Sequence, residues 1–181
     1  MLIQTIYWLA LSIWLGGVLF VAIAAPIIHR TIRESNPILP NVLSVNLENE
    51  HGSLLAGSIV GNLLRMLSSV QFWCAAVMML MLIGQWFLML RAPQNILHGV
   101  IRSSLFVGAV VLAAYDRWVV SPKVWRYRQE YIDHADQPEI ANPAKDQFDR
   151  YHRESVRVLF VTLAFLSLIV VFSSMVLPDG R

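Results

Sequence analysis

Four long apolar runs, separated by stretches of mixed polarity, set the pattern of this chain. They lie at roughly 3–28, 67–90, 101–120 and 155–177. About 20 apolar residues cross a bilayer core of ~30 Å. In lipid a backbone must satisfy its own hydrogen bonds, so each run is predicted as a transmembrane helix. The connections are unequal. "RAPQNILHG" at 91–99, with Pro93 and Gly99 as breakers, predicts a tight hairpin. Segments 29–66 and 121–154 are long, and two crossings separate them, so they share one side. The expected fold is an all-α membrane protein with a single domain over 1–181. It has four transmembrane helices and a cytoplasmic juxtamembrane helical cap built from 29–66 and 121–154.

Local signals refine the cap. Ser121 suits an N-cap and Pro122 a first helical position. With Val124, Tyr127, Tyr131 and Ile132 near one face, this predicts a separate interfacial helix of about 15 residues. Asn142-Pro143 repeats the signal, so the fourth helix is expected to begin near Pro143, well before its apolar run. Segment 47–66 resembles a similar extension of the second helix. Pro26 in "AAPIIHR" is expected to end or kink the first helix.

Composition agrees with a lipid solvent. The chain has 181 residues, 56% hydrophobic and 14% charged, against about 25% charged in soluble domains. Six Trp and five Tyr suit anchoring at headgroup level. The single Cys74 excludes an internal disulfide framework, and a net charge of +2 offers no surface for nucleic acid. No basic stretch precedes the first apolar run, which reads as a retained helix rather than a cleaved signal. Of the 14 Lys and Arg, only Arg91, Arg102 and Arg181 fall on the side away from the long segments. The positive-inside rule then predicts a bacterial-type inner membrane protein with long loops in the cytoplasm and both termini outside.

Several residues could carry chemistry. Asp116 and Arg117 stand side by side where the third apolar run ends, and neighbours on a helix do not face each other. Each is expected to reach a different partner in a charge network or ion pathway with Arg65, His152, Glu154 and Arg157. On the fourth helix Phe148, His152, Ser155, Leu159, Thr162, Leu166, Ile169 and Ser173 form one stripe, predicted to face inward. His29 and His152 are a candidate pair for haem b or a metal. On the second helix Gln71, Cys74, Met78, Met81 and Gln85 recur at helical spacing. Thiol and thioether ligands would select copper, although Met is also ordinary apolar filler. Small residues mark close helix packing: Ser12, Gly16 and Gly17, Gly57 and Gly61, Ser104 and Gly108, and Ser155. No nucleotide loop, nucleophile elbow, HExxH or CxxC appears.

Taken in order, four blocks resemble one family. "WLGGVLFVAIAAPIIHR", "AGSIVGNLLRML", "YDRWVVSPKV" and "FDRYHRESV" are similar to motifs of the small four-helix membrane proteins related to transmembrane protein 205 and their bacterial relatives. The matching positions are Trp14, Gly17, Pro26, Gly57, Gly61, Arg65, Tyr115, Pro122, His152 and Ser155. The chain departs from the pattern at Asp116 and in longer loops. The resemblance implies a four-span fold and no settled activity. The expected function is therefore non-enzymatic: an accessory or structural subunit of a membrane assembly, with lipid, other subunits or its own copies as partners. A small transport or metal-handling protein, or a haem-binding one, are the alternatives. No cofactor is required by the leading reading.

Overall fold

The computed structural model describes residues 2–39, 44–89 and 96–176. Most of the expected 91–99 turn, with Pro93 and Arg91, lies outside the described residues, as do Leu177 and Arg181. Helix α1 is Leu2–Glu34, a 3-10 turn covers Val45–Glu50, and α2 is His51–Met89. Helix α3 is Ile96–Tyr115 and passes through a π-helical segment, Asp116–Val120, into α4, Ser121–Asp133. Helix α5, the fourth long helix of the sequence, is Pro138–Val176. The fold is all-α, with no strand among the described residues. Four helices are long and apolar enough to cross a membrane: α1, α2, α3 continued by α4, and α5.

Three expected boundaries lie at a proline, and two of them move. Pro26 does not end α1, which runs on to Glu34. In a long membrane helix one lost backbone bond is absorbed by local adjustment. Helix α5 starts at Pro138, five residues before Pro143, because Pro138 itself fits a first turn. Helix α4 starts at Ser121 as expected, but it continues the helix before it and Ser121 does not cap it. Val120 and Ser121 both keep right-handed helical backbone angles, and the Ser121 N–H bonds the carbonyl of Asp116. A proline ring inside a helix meets the carbonyl four residues back, here Trp118. The wider π turn lies where that clash would fall, so the helix continues through Pro122.

The chain forms two compact units. The first is Met1–Leu19, Leu67–Ala114 and Leu159–Arg181. All four long helices meet there in a bundle. The Tyr7 and Ser173 hydroxyls lie 2.9 Å apart, joining α1 and α5, and the Trp86 indole N–H donates to Ser103 Oγ at 3.0 Å between α2 and α3. Trp14 meets Phe106 edge-on. A Cβ at Gly17 would stand 2.9 Å from Leu67, and one at Gly108 would fall on the ring of Phe165. Gly16 has nothing within 4 Å of such an atom, and Ser12 and Ser104 are exposed.

The second unit is Phe20–Met66 and Tyr115–Val158. Its small core is Leu47, Leu54 and Ala135, with Leu39, Tyr131 and Ile132 packed on it. Arg128 donates to the carbonyl of Leu54 at 2.7 Å and to Ser58 Oγ at 2.8 Å, tying α4 to α2. Gly61 lies under Trp125, whose ring also carries the guanidinium of Arg65 at 4.7 Å.

Candidate functional site

Helix α3 buries Gly99, Arg102, Phe106 and Ala109, a stripe at helical spacing. Arg102 is therefore aimed inward by its position, in an otherwise apolar helix. It is 0% exposed, and its Nε, Nη1 and Nη2 are all buried without a hydrogen-bond partner among the described residues. The ring of Tyr7 lies 5.3 Å from its Cζ. Gln85, 9% exposed, likewise has an unpartnered Nε2. Trp86 and Ser103 bond each other, so their chain neighbours Gln85 and Arg102 lie within about one turn of each other along α2 and α3. Tyr7 of α1, against Arg102, and Ser173 of α5, bonded to Tyr7, complete this layer, so each long helix contributes one polar side chain. Along α1, Trp14 adds a third buried donor, Nε1, with no partner among the described residues.

The chemistry is one-sided. Arg and Trp side chains are donors only, and the free nitrogen of Gln85 is a donor. Buried polar groups are nearly always paired, and an isolated charge in lipid costs several kcal/mol. A centre of unmatched donors around a fixed positive charge calls for an acceptor bearing negative charge. The guanidinium fork matches the two oxygens of a carboxylate or phosphate.

The residues singled out in the sequence fall elsewhere. Asp116 opens the π segment and points at α5. It accepts from Ser121 Oγ at 3.0 Å and from Ser155 Oγ at 2.8 Å. Arg117, next to it, is exposed. Tyr115 donates to Glu154. Arg65 lies over Trp125, and Arg157 is exposed. His152 stacks on Phe148 and is exposed, as is His29. No three His, Cys, Asp or Glu side chains gather as a metal site among the described residues. Cys74 and Met78 are buried and Met81 half-buried, all on the inward side of α2. Pro26 is exposed, and Gly57 makes ordinary contact with Arg128 at 3.6 Å.

The second unit also holds an ion pair. Lys145 Nζ donates to Glu50 Oε1 at 2.6 Å, and the Tyr131 hydroxyl donates to Glu50 Oε2 at 2.8 Å. The hydrogen bond to Glu50 holds the Lys145 ammonium above the ordinary lysine value. A raised folded-state value stabilises the fold below the ordinary lysine pKa of about 10.4 and loses that contribution as pH rises through the higher folded value. Both side chains are partly open to water, at 41% and 31%, so the pair is expected to contribute only about 1 kcal/mol. Glu50→Gln is expected to cost that amount at pH 8 and to flatten the fall in stability above pH ~10. Melting curves at the two pH values check it.

No family model, curated protein or solved structure matches the chain. The geometry alone carries its functional reading.

Proposed function

We propose that the protein is a non-enzymatic integral membrane protein that binds an oxyanion-bearing ligand inside its bundle, as a small transporter or carrier does. Arg102 is the anchor, and Gln85, Tyr7 and Ser173 line the same layer. The observation that carries this reading is a fully buried guanidinium whose three nitrogens have no hydrogen-bond partner among the described residues. Intramembrane ionisable residues are costly, and where they occur they mark ligand and ion pathways.

The test is thermal unfolding in nanodiscs against titrated acetate, benzoate and phosphate. A ligand at a hundred times its dissociation constant adds about 2.7 kcal/mol of stability. Wild type is expected to gain from at least one anion, and Arg102→Gln from none. Anion uptake into proteoliposomes then separates transport from binding. Asp179→Asn, which removes the acid that follows the last apolar run in sequence, is measured in parallel. If it destabilises the protein and no anion helps wild type, the counter-charge comes from the chain itself and the reading fails.

A second reading, an accessory subunit, is favoured by one face of α1. Ser12 and Gly16 are exposed there, together with Leu9, Ile13 and Phe20. Small residues on an outward face allow another helix to approach closely. Kinship with the family related to transmembrane protein 205 and an inner-membrane location with both termini outside belong to the same proposal. Lys123, Arg126, Arg150, Arg153 and Arg157, all exposed in the second unit, support that orientation.

A further inference from the structure

Between Asp116 and Glu130 the chain carries four bases and no acid: Arg117, Lys123, Arg126 and Arg128. Arg128 turns inward to α2, whereas Lys123 and Arg126 are exposed. They stand around a pair of stacked rings. Tyr127 of α4 and Tyr151 of α5 lie 5.7 Å apart and 2° from parallel. Lys123 Nζ donates to the Tyr151 hydroxyl at 3.3 Å and sits 4.7 Å above its ring. Arg126 lies 5.7 Å from the Tyr127 ring centre, and the exposed Arg150 lies 6.0 Å from that of Tyr151. None of these three cations forms an ion pair among the described residues. The acids nearest in sequence leave them unpaired: Glu130, four residues after Arg126, and Asp146 and Asp149, four and one before Arg150, form no ion pair with them among the described residues. Asp116 takes two serine hydroxyls and Glu154 takes Tyr115.

Three bases around one aromatic platform, none of them in an ion pair among the described residues, suit an anion from outside the chain. Two facts identify the anion's source. Lys123 lies three residues past Val120, where the apolar run ends, which is about 4.5 Å along a helix. That is headgroup depth, the layer where tyrosine rings settle. The net charge of only +2 offers no long-range field for a soluble polyanion. Bases placed directly beside a membrane span are drawn to acidic lipid.

We propose that Lys123, Arg126 and Arg150, around the Tyr127–Tyr151 pair, form a docking site for the phosphodiester of an anionic phospholipid headgroup. The site is independent of Arg102 and would stand if the bundle bound no ligand. It selects which lipid surrounds α4 and the start of the α5 span.

The test is native mass spectrometry of the full chain released from membranes of equal phosphatidylglycerol and phosphatidylcholine. Wild type is expected to retain phosphatidylglycerol with a preference of at least about tenfold, weakening as salt is raised. Lys123→Gln, Arg126→Gln and Arg150→Gln together should erase that preference while melting like wild type in pure phosphatidylcholine. Should the triple variant not fold, the single variants decide: each lowers the preference about threefold to fivefold, or the proposal is wrong. Glycerol phosphate, the headgroup without tails, separates the two sources of phosphate. Competition by it at the same concentration as lipid overturns the lipid assignment. An unchanged preference in the triple variant overturns the site.

Discussion

Arg102→Met is expected to raise the melting temperature of the ligand-free protein and to abolish its stabilisation by anions. The two effects have one origin. A charged Arg at the centre of a membrane helix costs about 2.5–3.5 kcal/mol on insertion scales, and less toward the end of the span, where Arg102 lies. At Arg102 the cost is offset by a ring contact with Tyr7, worth up to ~2 kcal/mol when desolvated. Methionine has similar helix propensity, fills much of the same volume and leaves no unmatched donor. The balance favours the variant by up to about 1 kcal/mol, or a few degrees for a chain of this size. Arg102→Lys should keep the destabilising charge yet lose bidentate anion binding, because a lysine has no fork. A loss of about 3 kcal/mol or more in Arg102→Met would mean that the guanidinium is paired, since that is the usual cost of orphaning a buried partner. Unfolding in lipid nanodiscs, with and without benzoate, reads both effects.

Why was this centre hard to see in the sequence? Arg102 is the second residue of the third apolar run, where a base ordinarily reaches back to the headgroups. Its inward direction shows only in its neighbours: Gly99, Phe106 and Ala109 share its stripe, and their sizes carry no mark of a polar site. The apolar periodicity was more readable. Of the stripe expected to face inward on the last helix, Thr162, Leu166, Ile169 and Ser173 are buried, Phe148, Ser155 and Leu159 half-buried and His152 exposed; on the second helix Cys74, Met78 and Gln85 are buried and Gln71 and Met81 half-buried. Segment length and hydropathy located the four long helices for the same reason: in lipid they have no competing solution. Boundaries near prolines were less legible. A sequence shows where a proline lacks its donor, but not whether a π turn, as at Asp116–Val120, makes room for its ring. Glycines posed the same difficulty. Gly16 and Gly17 are adjacent and equally small, yet only Gly17 meets a neighbour within 4 Å.

That distinction sets the second large effect. Gly61→Leu is expected to destabilise the protein by about 3 kcal/mol, while Gly16→Leu should leave monomer stability unchanged or raise it by up to ~1 kcal/mol through helix propensity. At Gly61 even a Cβ would lie 2.7 Å from both Cζ2 and Cη2 of Trp125. The ring cannot swing aside cheaply, because Arg65 stands 4.7 Å from it and Arg128 5.8 Å, and Arg128 is itself fixed by Leu54 and Ser58. Moving the indole therefore strains two cation–π contacts as well as the packing. At Gly16 there is nothing to displace. Equal melting temperatures for the two variants would refute the close approach of α4 to α2. The same pair addresses assembly, because Gly16 faces outward beside Ser12. If a second helix docks on that face, Gly16→Leu lowers the mass seen in native spectra without lowering the melting temperature of the monomer. Gly61→Leu does the reverse, since its clash lies within one chain.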